Sequence, residues 1–88
     1  MTLFNVDDPT VISWRRRLEN AVSRIDDRYK IYDFRFAMED GVPAVRFHLL
    51  VSRNDMAKQE EITRQLEKVL RRVDSRAVLE ISFINAYV

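Results

Sequence analysis

His48 is the chain's only histidine, and imidazole is the side chain best suited to proton exchange or to metal ligation. A neutral imidazole oriented by a carboxylate is a common metal-ligand arrangement. Asp33 supplies that carboxylate if the stretch from Tyr29 to Ser52 folds as a hairpin. Asp40-Gly41 is the strongest short hairpin signal in the sequence, flanked by two runs of β-branched and aromatic residues. A two-residue turn there pairs Glu39 with Val42. The register then sets Phe34 opposite Phe47 on an inner face, with Tyr32 and Phe36 beside them, and Asp33 opposite His48 on an outer face. One His with one Asp is too small a ligand set for tight metal binding unless Glu80 or a symmetry mate contributes. A surface histidine beside an aspartate is the competing reading of the same pair.

Other chemistries find little support. The chain has no cysteine, which removes disulfides, zinc ribbons and thiol catalysis together. No serine lies in a Gly-x-Ser-x-Gly context. A single glycine leaves no phosphate-cradling loop and no dinucleotide fingerprint. The chain is therefore not expected to be an enzyme. The net charge is +1, from 15 basic and 14 acidic residues, whereas nucleic-acid binding usually needs a clear basic excess. RNA binding on a sheet needs aromatics on its open face, and the register sends Phe34, Phe36 and Phe47 inward. No apolar run is long enough to span a membrane, and the N-terminus lacks signal-peptide character. A cytoplasmic location is expected.

Eighty-eight residues make a single domain, residues 1–88, small enough that dimerisation would add needed stability. Asp8 reads as an N-cap with Pro9 at the first helical position. Val11, Trp14, Leu18, Ala21, Val22 and Ile25 then form one apolar stripe of a helix ending around Asp26 to Arg28. Arg15, Arg16 and Arg17 sit together on it, either as a solvated face whose stems cover the core rim or as a patch attracted to anionic headgroups or an acidic partner. After the hairpin, Ser52 to Asp55 resembles a capping box, with Asn54 as the rival N-cap. Ile62, Leu66, Val69, Leu70 and Val73 make a second helical stripe, with Met56 near its start. Glu60 with Arg64, and Glu67 with Arg71, are i,i+4 pairs of favourable order. Ala77 to Tyr87 reads as the last strand, with Leu79, Ile81, Phe83 and Tyr87 on its apolar face. Thr2 to Val6 reads as a further strand or a lead-in.

The order helix, strand, strand, helix, strand predicts an α+β, ferredoxin-like αββαβ fold. Its last two strands should be parallel across a helical crossover, and both helices should cover one face of a small mixed sheet. The other face carries Asp33, Arg35, Arg46, His48, Leu50, Val78, Glu80, Ser82 and Ile84. It is half apolar and uncovered, which suits a protein–protein contact.

Short motifs along the chain carry a resemblance. They are Asp7-Asp8-Pro9 before the first helix, Ile25-Asp26-Asp27-Arg28, Ile31-Tyr32-Asp33-Phe34-Arg35, Phe47-His48-Leu49, and Ile81-Ser82-Phe83 through Tyr87-Val88. In this order and spacing the chain resembles the C-terminal cytoplasmic domain of cation diffusion facilitator transporters, proton-coupled exporters of zinc and related divalent metals. The resemblance implies a metallochaperone-like αββαβ domain that forms a homodimer, binds metal at the dimer interface and serves a transporter's transmembrane domain. It carries over His48 and Asp33 as metal ligands. The chain departs from the pattern at Tyr32, where the family has a first-strand histidine. It departs again at Phe83, Ile84 and Asn85, where the family has a histidine and an acid. The implied function is a regulatory dimerisation domain of a cation efflux transporter with weak or vestigial binding of a zinc-like divalent metal. The alternative is a stand-alone adaptor or small-ligand-binding domain without a metal role.

Overall fold

The computed structural model describes residues 2–3 and 8–86. Strand β1 (Thr2–Leu3) precedes helix α1 (Pro9–Ile25), the hairpin of β2 (Lys30–Glu39) and β3 (Val42–Ser52), helix α2 (Gln59–Val73) and strand β4 (Val78–Ala86). A 3₁₀ turn, Arg53–Lys58, leads into α2. The sheet runs in the order β1-β2-β3-β4. The pairs β1–β2 and β2–β3 are antiparallel, and β3–β4 is parallel. This is the expected α+β, ferredoxin-like αββαβ arrangement. Thr2–Leu3 adds a short strand on the outer edge of β2, so β3 and β4 remain direct neighbours; Phe4 to Val6 and Tyr87 lie outside the described residues.

Local sequence accounts for most boundaries. Asp8 caps α1 by accepting a 2.8 Å bond from the Thr10 amide, with Pro9 just inside the helix. The helix stops at Asp26, whose carboxylate accepts from the Arg28 amide at 2.9 Å and from its guanidinium at 2.8 Å. Those bonds, the side-chain one foremost, lower the Asp26 carboxyl to about 2. The hairpin turns on Asp40 and Gly41, at φ +52° and +76°, the left-handed pair that a tight two-residue turn requires. Glu39 pairs with Val42 as the turn predicts.

Both helices pack on one sheet face. Val11, Trp14, Leu18 and Val22 of α1 and Ile62, Leu66 and Leu70 of α2 share one core with Phe36, Val45, Phe47, Leu49 and Val51. Trp14 packs on Phe36 with ring centroids 5.6 Å apart. Phe34, Ile81 and Phe83 are half-buried at the rim of that core. Ala21, Ile25 and Val69 are half-buried along the helix flanks, and Val73, the last residue of α2, is 46% exposed rather than part of the buried stripe.

Two expectations need correction. The hairpin register runs evenly from Glu39↔Val42 to Arg35↔Arg46, then resumes one residue out of step at Tyr32↔His48. A β-bulge at Asp33 and Phe34 absorbs the extra residue, and Asp33 adopts φ +53°. Aspartate tolerates this conformation better than most side chains. As a result Tyr32 points outward and is 51% exposed, while Ile31 turns in and packs against the core. Phe34 still stacks on Phe47, with centroids 6.2 Å apart.

The second correction concerns α2. Ser52 makes no capping bond to the backbone, and α2 begins only at Gln59. The Asp55 carboxylate instead accepts the Tyr29 hydroxyl at 2.5 Å and the Ser52 hydroxyl at 2.9 Å. Met56 lies in the 3₁₀ turn and packs against the core. Of the two i,i+4 pairs, Glu67–Arg71 forms at 3.5 Å; among the described residues Glu60 and Arg64 make no ion pair.

Candidate functional site

The sheet face opposite the helices is built by strand alternation. Arg35 of β2, Arg46 and His48 of β3, and Glu80 and Ser82 of β4 all project from it. The β3–β4 register sets Arg46 beside Glu80 and His48 beside Ser82. A groove of about 320 Å³ opens here, lined by Asp33, Arg35, Arg46, His48, Glu80 and Ser82 over a floor of Phe47.

The structure therefore gathers Asp33, His48 and Glu80 around one groove, although not in the manner expected. Tyr32, not Asp33, is the residue paired with His48. The bulge displaces Asp33 from the ladder position that an even register would have given it. Its carboxylate lies 3.4 Å from the Arg35 guanidinium. Glu80 is held by Arg46 at 3.0 Å, and the same guanidinium reaches Glu39 at 3.6 Å. Ion pairs as exposed as these contribute at most about 1 kcal/mol each, yet they decide what the groove can hold.

Among the described residues no three His, Asp or Glu side chains come together as a metal-holding group. The donor set fits a divalent cation poorly. Each carboxylate lining the groove already neutralises a guanidinium, and two guanidiniums at the rim oppose a dication. A cation held by His48 and Asp33 must first separate Asp33 from Arg35, and its ligand set is smaller than the four of a closed zinc site. Strand parity alone placed Arg35 and Arg46 on this face; their closure on Asp33 and on Glu39 and Glu80 was not anticipated. The Arg46–Glu80 contact depends on the β3–β4 register, which no local pattern specifies.

The rest of the face is apolar in part. Tyr32, Val78 and Ile84 are exposed, at 51%, 52% and 38%. Leu50 is half-buried among them, and the small Ala37 and Ala44 are buried between the charged side chains. Among the described residues no helix is long and apolar enough to cross a membrane. No family model, curated protein or solved structure matches the chain.

Proposed function

We propose that the chain is a cytoplasmic dimerisation domain of the kind found in cation efflux transporters, its open sheet face meeting the same face of a second copy. The observation that carries this reading is the state of that face. Its apolar side chains Tyr32, Val78 and Ile84 are exposed, while its charges close on one another within the protomer. A two-fold contact must be self-complementary, and a locally neutral, half-apolar surface meets that condition without setting like charges against each other. The αββαβ order and the motifs from Asp8-Pro9 to Ile81-Ser82-Phe83 support the transporter assignment. In this reading His48 and Asp33 bind a divalent metal weakly, with further donors from Glu80, water or the second copy.

A stand-alone adaptor without a metal role is the second reading. It is favoured by the arginine contacts that occupy Asp33 and Glu80.

Zinc titration of the native protein and of His48→Ala, followed by light scattering and melting temperature, tests the first reading. The expected result is a dimer at high micromolar concentration and a small rise in melting temperature with zinc that His48→Ala removes. A monomer at all concentrations would defeat the dimerisation reading. A dimer indifferent to zinc would leave the adaptor reading in place.

A further inference from the structure

The net charge of +1 conceals an uneven distribution. Helices α1 and α2 together carry eight basic and four acidic residues. Two of the basic residues close on acids of their own helix, Arg15 on Glu19 at 3.7 Å and Arg71 on Glu67 at 3.5 Å. Arg16, Arg17, Arg24, Arg64, Lys68 and Arg72 are all exposed. None of these six has an acidic partner among the described residues.

Their spacing places them on the outer side of the helix layer. Arg64, Lys68 and Arg72 follow at i, i+4 and i+8, a line along α2 turned away from the buried Leu66 and Leu70. Like charges at this spacing repel one another. A cation in the last turn complements the helix dipole, which accounts for Arg24 and Arg72 but not for Arg16, Arg17, Arg64 or Lys68. Between the two helices runs a groove of about 290 Å³. Its floor includes Ala21, Ile25 and Val69, its walls carry Arg24, Lys68 and Arg72, and among the described residues no acid lines it. On the outer side of α1, Pro9 and Ile12 lie beside Arg16 and Arg17, and Ile12 is 41% exposed.

We propose that the outer surface of the helix layer attaches to an anionic phospholipid membrane, with acidic headgroups entering the groove between α1 and α2. The cations spread across the backs of two adjacent helices, a two-dimensional array that matches a plane of charge better than a single line of phosphates. Ile12, Ala21 and Val69 lie between them, and the long arginine and lysine stems can rest at headgroup depth while their charges reach the phosphates. Nucleic acid is a poorer fit, because Trp14, the only aromatic residue of the two helices, is buried and leaves no stacking platform. The proposal stands on the helix layer alone and does not depend on the dimerisation reading of the sheet.

Cosedimentation with vesicles tests it, comparing pure phosphatidylcholine with a mixture containing about 30 mol% phosphatidylserine in about 0.1 M salt. The native chain should partition onto the acidic vesicles and not the neutral ones. The combined variant Arg24→Gln, Lys68→Gln, Arg72→Gln should lose on the order of a hundredfold in partitioning. A matched variant, Lys30→Gln, Arg53→Gln, Arg76→Gln, removes as much charge elsewhere and should keep most of it. Circular dichroism and melting curves confirm that both variants fold. Equal partitioning onto neutral vesicles, or equal loss in the two variants, would overturn the proposal. Tighter binding to a polyglutamate peptide or a single-stranded oligonucleotide than to the acidic vesicles would overturn it in favour of that macromolecule.

Discussion

The open face of the sheet and the outer surface of the helices handle their cations in opposite ways. On the sheet, Arg35 and Arg46 lie against Asp33, Glu39 and Glu80, and apolar side chains fill the space between. On the helices, most cations face solvent without an acid. The cause lies in the two periodicities. Neighbouring strands bring residues distant in sequence side by side, so Arg46 reaches Glu39 on β2 and Glu80 on β4. Asp33, in the bulge, meets Arg35 two residues on in its own strand. A helix meets its own charges only at i+3 and i+4, and Arg64, Lys68 and Arg72 occupy successive i+4 positions with the same sign. A surface neutral on its own suits a second copy of itself, whereas one left with uncompensated charge calls for a partner of opposite charge.

The most damaging change should be one that removes both surfaces together. Phe47 forms the floor beneath the open face, stacks on Phe34 and is 1% exposed. Phe47→Ala should cost about 3–5 kcal/mol in chemical denaturation, abolishing self-association and vesicle binding alike. Next comes a change that should separate the two surfaces. Ile84→Lys puts a charge on the open face, where self-association measured by light scattering should weaken at least about tenfold, with monomer stability shifted by about 0.5 kcal/mol or less. Vesicle binding should be unchanged. If association survives while vesicle binding falls, the roles assigned to the two surfaces are reversed.

A smaller effect should come from a contact that belongs to neither surface. Tyr29→Phe removes the hydroxyl bond to Asp55 and should cost about 1–2 kcal/mol. Burial, reinforced by the bond to the Asp55 carboxylate, raises the Tyr29 phenol above its usual range. Its contribution is therefore complete below about pH 10 and is lost as the pH climbs beyond that. The Tyr29 and Ser52 bonds lower the Asp55 carboxyl, so its contribution is present above about pH 4 and lost as the pH falls below it. Melting curves across both limits should show a shallower alkaline fall in Tyr29→Phe and a shallower acid fall in Asp55→Asn. The smallest effect belongs to Asp33→Gly. Glycine adopts φ +53° without strain, so stability should change by no more than about 0.5 kcal/mol. The zinc response should drop if Asp33 is a ligand.

How far these features could be read in advance depended on the range of the interactions behind them. The Asp40-Gly41 turn, the Asp8-Pro9 helix start and the apolar stripes are local, and all were legible. The bulge was missed because Tyr32, Phe34 and Phe36 satisfy period two without it. The signal lay in Tyr29 and Ile31, whose alternation is out of step with that of Phe34 and Phe36. The start of α2 was misplaced because Ser52 and Asp55 mimic a local cap, while Asp55 in fact serves Tyr29, 26 residues earlier in the chain. For the candidate site, parity alone placed Asp33, Arg35, Arg46, His48 and Glu80 on one face. Their pairing depends on the bulge and on the β3–β4 register.

The bulge at Asp33 also bears on how this chain can change length. Deleting one residue inside a strand ordinarily inverts every side chain on one side of the gap. At position 33 the strand already holds a surplus residue, so its loss would restore an even ladder from Glu39 down to Lys30 without disturbing the turn. The stretch before the gap would keep its pairing, Tyr32 with His48 and Ile31 with Leu49, so Tyr32 would stay on the open face and Ile31 against the core. A single-codon deletion there would remove the Asp33 carboxylate and its contact with Arg35 while the hairpin kept its connection and register, a low-cost route to a different charge pattern on the same scaffold.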